Sequence, residues 1–104
     1  MKPTRPVLER AFRSYNRKYF SNLLPNPPEV ELGWGDIDCM GYQLGDEIVI
    51  NRKYRQWGSV WRGTLLHEMA HLKLEGEKVR SDHGKEFQNE MLRLAKAGAF
   101  KKIW

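Results

Sequence analysis

The sequence contains a single cysteine, Cys39, so it can form no internal disulfide bond and no metal ribbon built from thiolates. No apolar run is long enough to span a bilayer, and the N-terminal residues lack the apolar core of a signal peptide. There is also no internal repeat and no low-complexity tract. We therefore expect a cytoplasmic protein without a membrane partner.

The composition fits one small folded domain. With 104 residues, the chain is predicted to form a single domain over residues 1–104 and to act as a monomer. Its hydrophobic content of 40% and aromatic content of 12% favour a packed core over disorder.

Positive charge is concentrated near the N-terminus. The net charge is +5, and residues 1–20 contain six basic residues against one acid, so they hold the whole excess. Arg10, Arg13 and Arg17 share one face of a predicted helix. Such a face can bind DNA, but it can equally be an ordinary solvated helix face.

The hydrophobic pattern predicts an α+β fold. A helix is expected over residues 6–21 and a strand over residues 30–34. Residues 41–44 and 47–51 are expected to form a hairpin that turns at Gly45 and Asp46. These strands are predicted to build a small antiparallel sheet of about three strands.

Two further helices are predicted after the sheet. The first has Ser59 as its N-cap and ends near Gly76. The second begins at Asp82 or His83 and reaches about residue 97. The order is therefore helix, small sheet, helix, helix.

All three histidines of the chain lie in one short segment. His67 and His71 are four residues apart, so they share one face of the first of these two helices and can bind the same ion. Glu68 follows His67 directly, and this spacing is typical of a zinc metallopeptidase helix. A catalytic zinc takes three protein ligands, and His83 is the predicted third, with Glu86 or Glu90 as alternatives.

The surroundings of the motif favour metal binding over chance. Its neighbours are largely apolar, and burying an unpaired polar group costs about 1–3 kcal/mol. One shared Zn²⁺ per chain satisfies both imidazoles, and zinc lowers the pKa of water to about 7, so that Glu68 can act as a general base. Tyr42, Arg52 and Tyr54 are of the right type to stabilise an oxyanion, although each can equally be structural.

The sequence around these histidines resembles the SprT-like zincin family, which includes the Spartan proteases. The resemblance depends on residues 65–71, which read LLHEMAH, and on residues 82–87, which read DHGKEF. It implies a minimal zincin fold and a protease that uses His67, His71, His83 and Glu68. Spartan-type members cut proteins crosslinked to DNA, which the basic Arg10, Arg13 and Arg17 face would suit.

The sequence thus predicts a zinc-dependent endopeptidase with a protein or peptide substrate. The alternative is a DNA-binding module whose zinc is mainly structural and whose proteolytic activity is small.

Overall fold

The computed structural model describes residues 4–78 and 83–101. Within these residues the elements follow one another as α1 (Arg5–Tyr19), β1 (Glu31–Gly35), β2 (Gly41–Leu44), β3 (Glu47–Asn51), a 3-10 helix (Arg52–Tyr54), α2 (Gly58–Gly76) and α3 (Lys85–Lys96). The α+β class is confirmed, and the hairpin has its predicted bounds. The predicted helix start at Asp82 lies outside the described residues.

The three-stranded sheet is mixed, so the prediction of an antiparallel sheet is wrong in one of its two pairings. The strand order is β1-β3-β2, with β3 in the middle. β2 pairs antiparallel with β3, whereas β1 pairs parallel with it, with Leu32 opposite Ile48. The hairpin reverses the chain between β2 and β3, and β1 runs in the same direction as β3. The apolar β3 takes the central position, where it pairs with both of the other strands.

One face of the sheet forms the core with the helices. Leu32, Ile48 and Ile50 point to this face and are buried. Tyr42 and Val49, which are opposite each other in the β2–β3 register, lie on the other face and are only partly buried. The side of the sheet on which a strand residue lies therefore decides whether it can reach α2.

Helix α2 is the centre of the domain. It packs against β2, β3, α1 and α3. Its buried residues occur all around its axis, as expected for a helix enclosed by the core, and they include Trp61, Leu65, Leu66 and Met69. Its N-cap is Trp57 rather than the predicted Ser59, which lies inside the helix. No helix in the described ranges combines the length and apolarity needed to cross a membrane.

Candidate metal centre

The three histidines meet between α2 and the start of α3. His67 and His71 lie one turn apart on α2, and His83 precedes the first residue of α3 by two positions. The Nε2 atom of His83 is 3.2 Å from Nε2 of His67 and 3.2 Å from Nε2 of His71. The ligand atoms of the group all lie within 4.8 Å of one another. The fold thus places three nitrogen donors around one point.

This donor set fits a zinc ion. Tetrahedral zinc with zinc–nitrogen distances of about 2.0–2.1 Å holds its nitrogens about 3.3 Å apart, close to the two observed separations. Burial and the nearby His71 and His83 lower the pKa of His67 to about 4, so this imidazole is neutral at pH 7, which is its ligating form. Within the described ranges the group has three members, which leaves a fourth tetrahedral position for another ligand.

Phe87 packs against all three imidazoles. Its ring stacks on His71 with a centroid distance of 4.3 Å, and it lies 4.8 Å from His67 and 5.1 Å from His83. The sequence places Phe87 on the apolar face of α3 and at the end of the DHGKEF segment, but it indicates no contact between this ring and the histidines. The structure shows that this residue is a packing surface for the whole histidine group.

Glu68 is a buried carboxyl group next to these histidines. Only 5% of its surface is exposed, yet it lines an open cleft of about 510 Å³ together with His67. Burial raises the pKa of Glu68 to about 7. A carboxyl group with this pKa can accept a proton near neutral pH and give it back, as a general base must.

The cleft depends on the close approach of β2 to α2. Gly41 of β2 lines the cleft, and a Cβ atom at this position would lie 2.7 Å from Cγ2 of Thr64 and 3.0 Å from the carbonyl oxygen of Val49. Contacts this short force neighbouring atoms to move. Glycine at position 41 therefore keeps the edge strand close to the helix that contains His67 and Glu68.

Asn51 orders the loop beside the cleft, a role that no spacing in the sequence indicates. Its Nδ2 donates to the carbonyl oxygens of Ile37 at 3.0 Å and Cys39 at 2.8 Å, and its Oδ1 accepts from the amide of Lys53 at 2.9 Å. These bonds hold the loop that brings Met40 to the cleft. The one available signal was an asparagine at the end of a strand, since asparagine side chains often bond to nearby backbone.

The alternative third ligands do not join the histidine group. Glu90 is turned to two cations instead: its Oε1 accepts from Nζ of Lys73 at 3.0 Å, and its Oε2 accepts from Arg93 at 2.6 Å. Glu86 is exposed on α3 and is not part of the group. Of the three candidates, the geometry favours His83.

The three oxyanion candidates do not line the cleft that contains Glu68. The hydroxyl of Tyr42 donates to Glu47 at 3.3 Å on the outer face of the sheet. Arg52 forms an ion pair with Asp36 at 3.4 Å and lines a different cleft together with Tyr54. Their role in oxyanion stabilisation stays a prediction that this arrangement does not support.

The basic residues of α1 are all exposed. Arg10 and Arg17 extend into solvent, while Arg13 donates to the carbonyl oxygen of Pro27 at 2.7 Å and so helps to hold the following loop. Arg13 thus has a structural contact besides its charge. DNA binding by this face stays a prediction.

Comparison with known proteins identifies a family. The sequence profile of the SprT-like family matches residues 8–102, a segment that includes most of α1, the sheet, α2, α3 and the histidine group. No curated protein and no solved structure matched the chain.

Proposed function

Since the chain belongs to the SprT-like family, we propose that it is a zinc-dependent metalloendopeptidase. The family is associated with a zincin-like metallopeptidase fold, and cleavage of peptide bonds by this chain is our inference. The observation that supports it most is the histidine group, whose nitrogens lie within 4.8 Å of one another beside the buried carboxyl of Glu68.

We assign one zinc ion per chain to His67, His71 and His83. Zinc supplies a Lewis acid that lowers the pKa of water to about 7 and polarises a carbonyl group. The imidazole of His67 is already neutral, so no proton has to be displaced from it before binding. Phe87 excludes water from one side of the group.

Glu68 is the general base of the proposed reaction. It lies one residue from His67 on α2 and faces the same cleft, so its carboxylate can take the proton of the attacking water. The protonated carboxyl can then donate this proton to the amine that leaves when the peptide bond breaks. In the metal-free protein, burial raises its pKa to about 7, which favours both uptake and release of a proton near neutral pH.

Strand β2 supplies a free edge for an extended substrate. Within the described part of the chain its only neighbour is β3. The amide of Asn51 donates to the carbonyl of Met40 at 2.8 Å, so the alternation of the antiparallel ladder turns the backbone groups of Gly41 and Gln43 to the unpaired edge. A peptide can pair there through its backbone, and this supports a polypeptide substrate.

The Glu68→Gln variant tests the mechanism. It should still bind one equivalent of zinc, because glutamine keeps the shape of the side chain. Its rate of cleavage of unfolded casein should be about 10²–10⁴-fold lower than that of the parent, because it lacks the base. Elemental analysis and gel-based cleavage measure the two properties. Glu29→Gln is the matched control, because Glu29 is exposed and should cleave casein like the parent. A Glu68→Gln variant as active as the parent would refute the assignment.

The ligand set is tested by the His83→Ala variant. The parent should hold one equivalent of zinc, and the variant should hold much less at the same free zinc concentration. Full zinc content in the variant would show that another residue is the third ligand.

The alternative function is DNA binding through α1. It is favoured by the exposure of Arg10 and Arg17 and by the concentration of positive charge in this segment. The combined replacement of Arg10, Arg13 and Arg17 by glutamine should then weaken binding to a random DNA duplex and reduce its salt dependence. Unchanged affinity and salt slope would dispose of this alternative.

A further inference from the structure

The cleft that contains Glu68 extends along α2 and has apolar walls. Met40 lies on one side of it, Val60 belongs to the first turn of α2, and Met91 belongs to α3. Gly41 and Gly63 also line it and have no side chain that would fill the space. With a volume of about 510 Å³, the cleft has the size of sites that bind small ligands or side chains.

The cleft continues for about two helical turns from the proposed reaction centre. Val60, Thr64 and Glu68 follow one another at intervals of four residues, so they form one row on α2. Eight residues at a rise of 1.5 Å give a distance of about 12 Å from Val60 to Glu68. An extended chain advances about 6.6 Å between side chains on the same face, so this length accepts one or two side chains.

The charge of the lining excludes a nucleic acid as its occupant. No lysine or arginine is among the residues that line the cleft, and its ionisable groups are Glu68 and His67. A phosphodiester would therefore meet a carboxylate and no cation. An apolar group, in contrast, would cover Met40, which is 49% exposed although it is a large hydrophobic residue.

We infer that this cleft is the subsite for a large apolar side chain of the substrate, next to the bond that is cut. Met40, Val60 and Met91 are then the residues that determine specificity. Methionine side chains are flexible, so the subsite accepts leucine, phenylalanine and methionine rather than one shape alone. This inference rests on the proposed function, since it assigns the substrate class for the same site.

Peptide binding tests the inference without requiring cleavage. The protein is the zinc-loaded Glu68→Gln variant with ¹³C-labelled methionine methyl groups. The probes are two blocked seven-residue glycine–serine peptides, one with a central leucine and one with a central serine. The leucine peptide should shift the methyl signals of Met40 and Met91 and bind about ten-fold more tightly or better. The methyl signal of Met69, which is fully buried in the core, is the internal reference and should not move.

Three substitutions in the labelled Glu68→Gln protein complete the test. Met40→Gln and Met91→Gln should each reduce the preference for the leucine peptide at least about three-fold. Leu92→Gln is the matched control, because Leu92 follows Met91 on α3 but is exposed and does not line the cleft. This variant should keep the preference for the leucine peptide. Met40 is exposed, so its substitution keeps the test valid even if Met91→Gln does not fold.

The possible outcomes separate this inference from the proposed function. Selective leucine binding with the predicted shifts supports the subsite even if the parent protein cleaves no casein, in which case the proposed function alone fails. Equal affinity for both peptides, or shifts confined to residues outside the cleft, overturns the subsite even if casein is cleaved.

Discussion

Replacing Gly41 by alanine should force the edge strand β2 away from the helix that contains His67 and Glu68. The added Cβ atom would lie 2.7 Å from Cγ2 of Thr64 and 3.0 Å from the carbonyl oxygen of Val49. Neither neighbour is the end of a flexible side chain, so the strand itself must shift. The backbone at Gly41 does not have a positive φ, and the cost is therefore steric.

The expected loss of stability in the Gly41→Ala variant follows from overpacking. Inserting one methyl group into a packed interior costs about 1–3 kcal/mol of unfolding free energy. Thr64→Ser removes the closest atom but keeps the hydroxyl that donates to the carbonyl oxygen of Val60 at 2.8 Å, and it costs about 1 kcal/mol for the lost methyl. If the clash is the cause, the double variant should be no less stable than Gly41→Ala alone. This corresponds to a coupling free energy of about 1 kcal/mol between the two substitutions.

Urea unfolding followed by tryptophan fluorescence, in saturating zinc, measures these differences. Gly33→Ala is the matched control, because this strand glycine has no atom within 4 Å of an added Cβ and should be neutral or slightly stabilising. Casein cleavage should fall with Gly41→Ala and recover in part with the second substitution. If the costs of Gly41→Ala and Thr64→Ser simply add to within about 0.5 kcal/mol, the steric explanation is wrong.

Two further predictions concern pH and metal. Burial tends to raise the pKa of Glu90, but hydrogen bonds from Arg93 and Lys73 outweigh it and hold this pKa below its usual value. The stabilisation by Glu90 should thus be present above pH 4.5 and be lost as the pH falls below this value. Glu90→Gln should therefore reduce the free energy of unfolding by about 1–3 kcal/mol at pH 7 and by progressively less in acid. An equal reduction at pH 3, measured by urea titration, would contradict this. For the metal, the parent protein is compared by calorimetry with free zinc at about 100 times its dissociation constant and with a chelator. The chelator should lower the melting temperature of the parent by about 10–20 °C, whereas the His83→Ala variant should melt at the same temperature under both conditions.

The hairpin of β2 and β3 was predictable because its signals are local. The alternation of side chains and the Gly45-Asp46 turn, with Gly45 at a φ of +57°, fix both strand lengths and the loop. The parallel partner of β3 has no local signal. β1 takes its place beside β3 when Leu32, Ile48 and Ile50 pack together on the helix-facing side of the sheet, and this contact joins residues that are distant in the sequence.

Local propensity also misplaced the beginning of α2. Serine is a good N-cap, but the helix starts at Gly58, and Trp57 occupies the N-cap without a side-chain hydrogen bond. Asn16, in contrast, makes a structural contact that no local propensity predicts. Its amide lies on the buried side of α1 and bonds to both backbone groups of Leu24, a contact between residues whose spacing carries no sequence pattern.

The candidate site also has one part that local spacing predicts and another part that only the tertiary structure shows. The placement of His67, Glu68 and His71 follows from helical spacing, and the break at Gly76 allows the chain to return with His83. The oxyanion candidates required knowledge of the sheet, because Tyr42 lies on the face away from α2. The walls of the cleft combine residues from β2, α2 and α3, and only the tertiary structure brings these together.

The aromatic ring of Phe87 has a consequence for which ions the protein can select. It covers one side of the imidazole cluster at ring distances of 4.3–5.1 Å, so additional ligands can approach only from the opposite side. Magnesium and calcium take six or more oxygen ligands, whereas the three donors of this group are imidazole nitrogens. Access to the metal position is thus restricted to one side by a hydrocarbon surface, without any additional polar group.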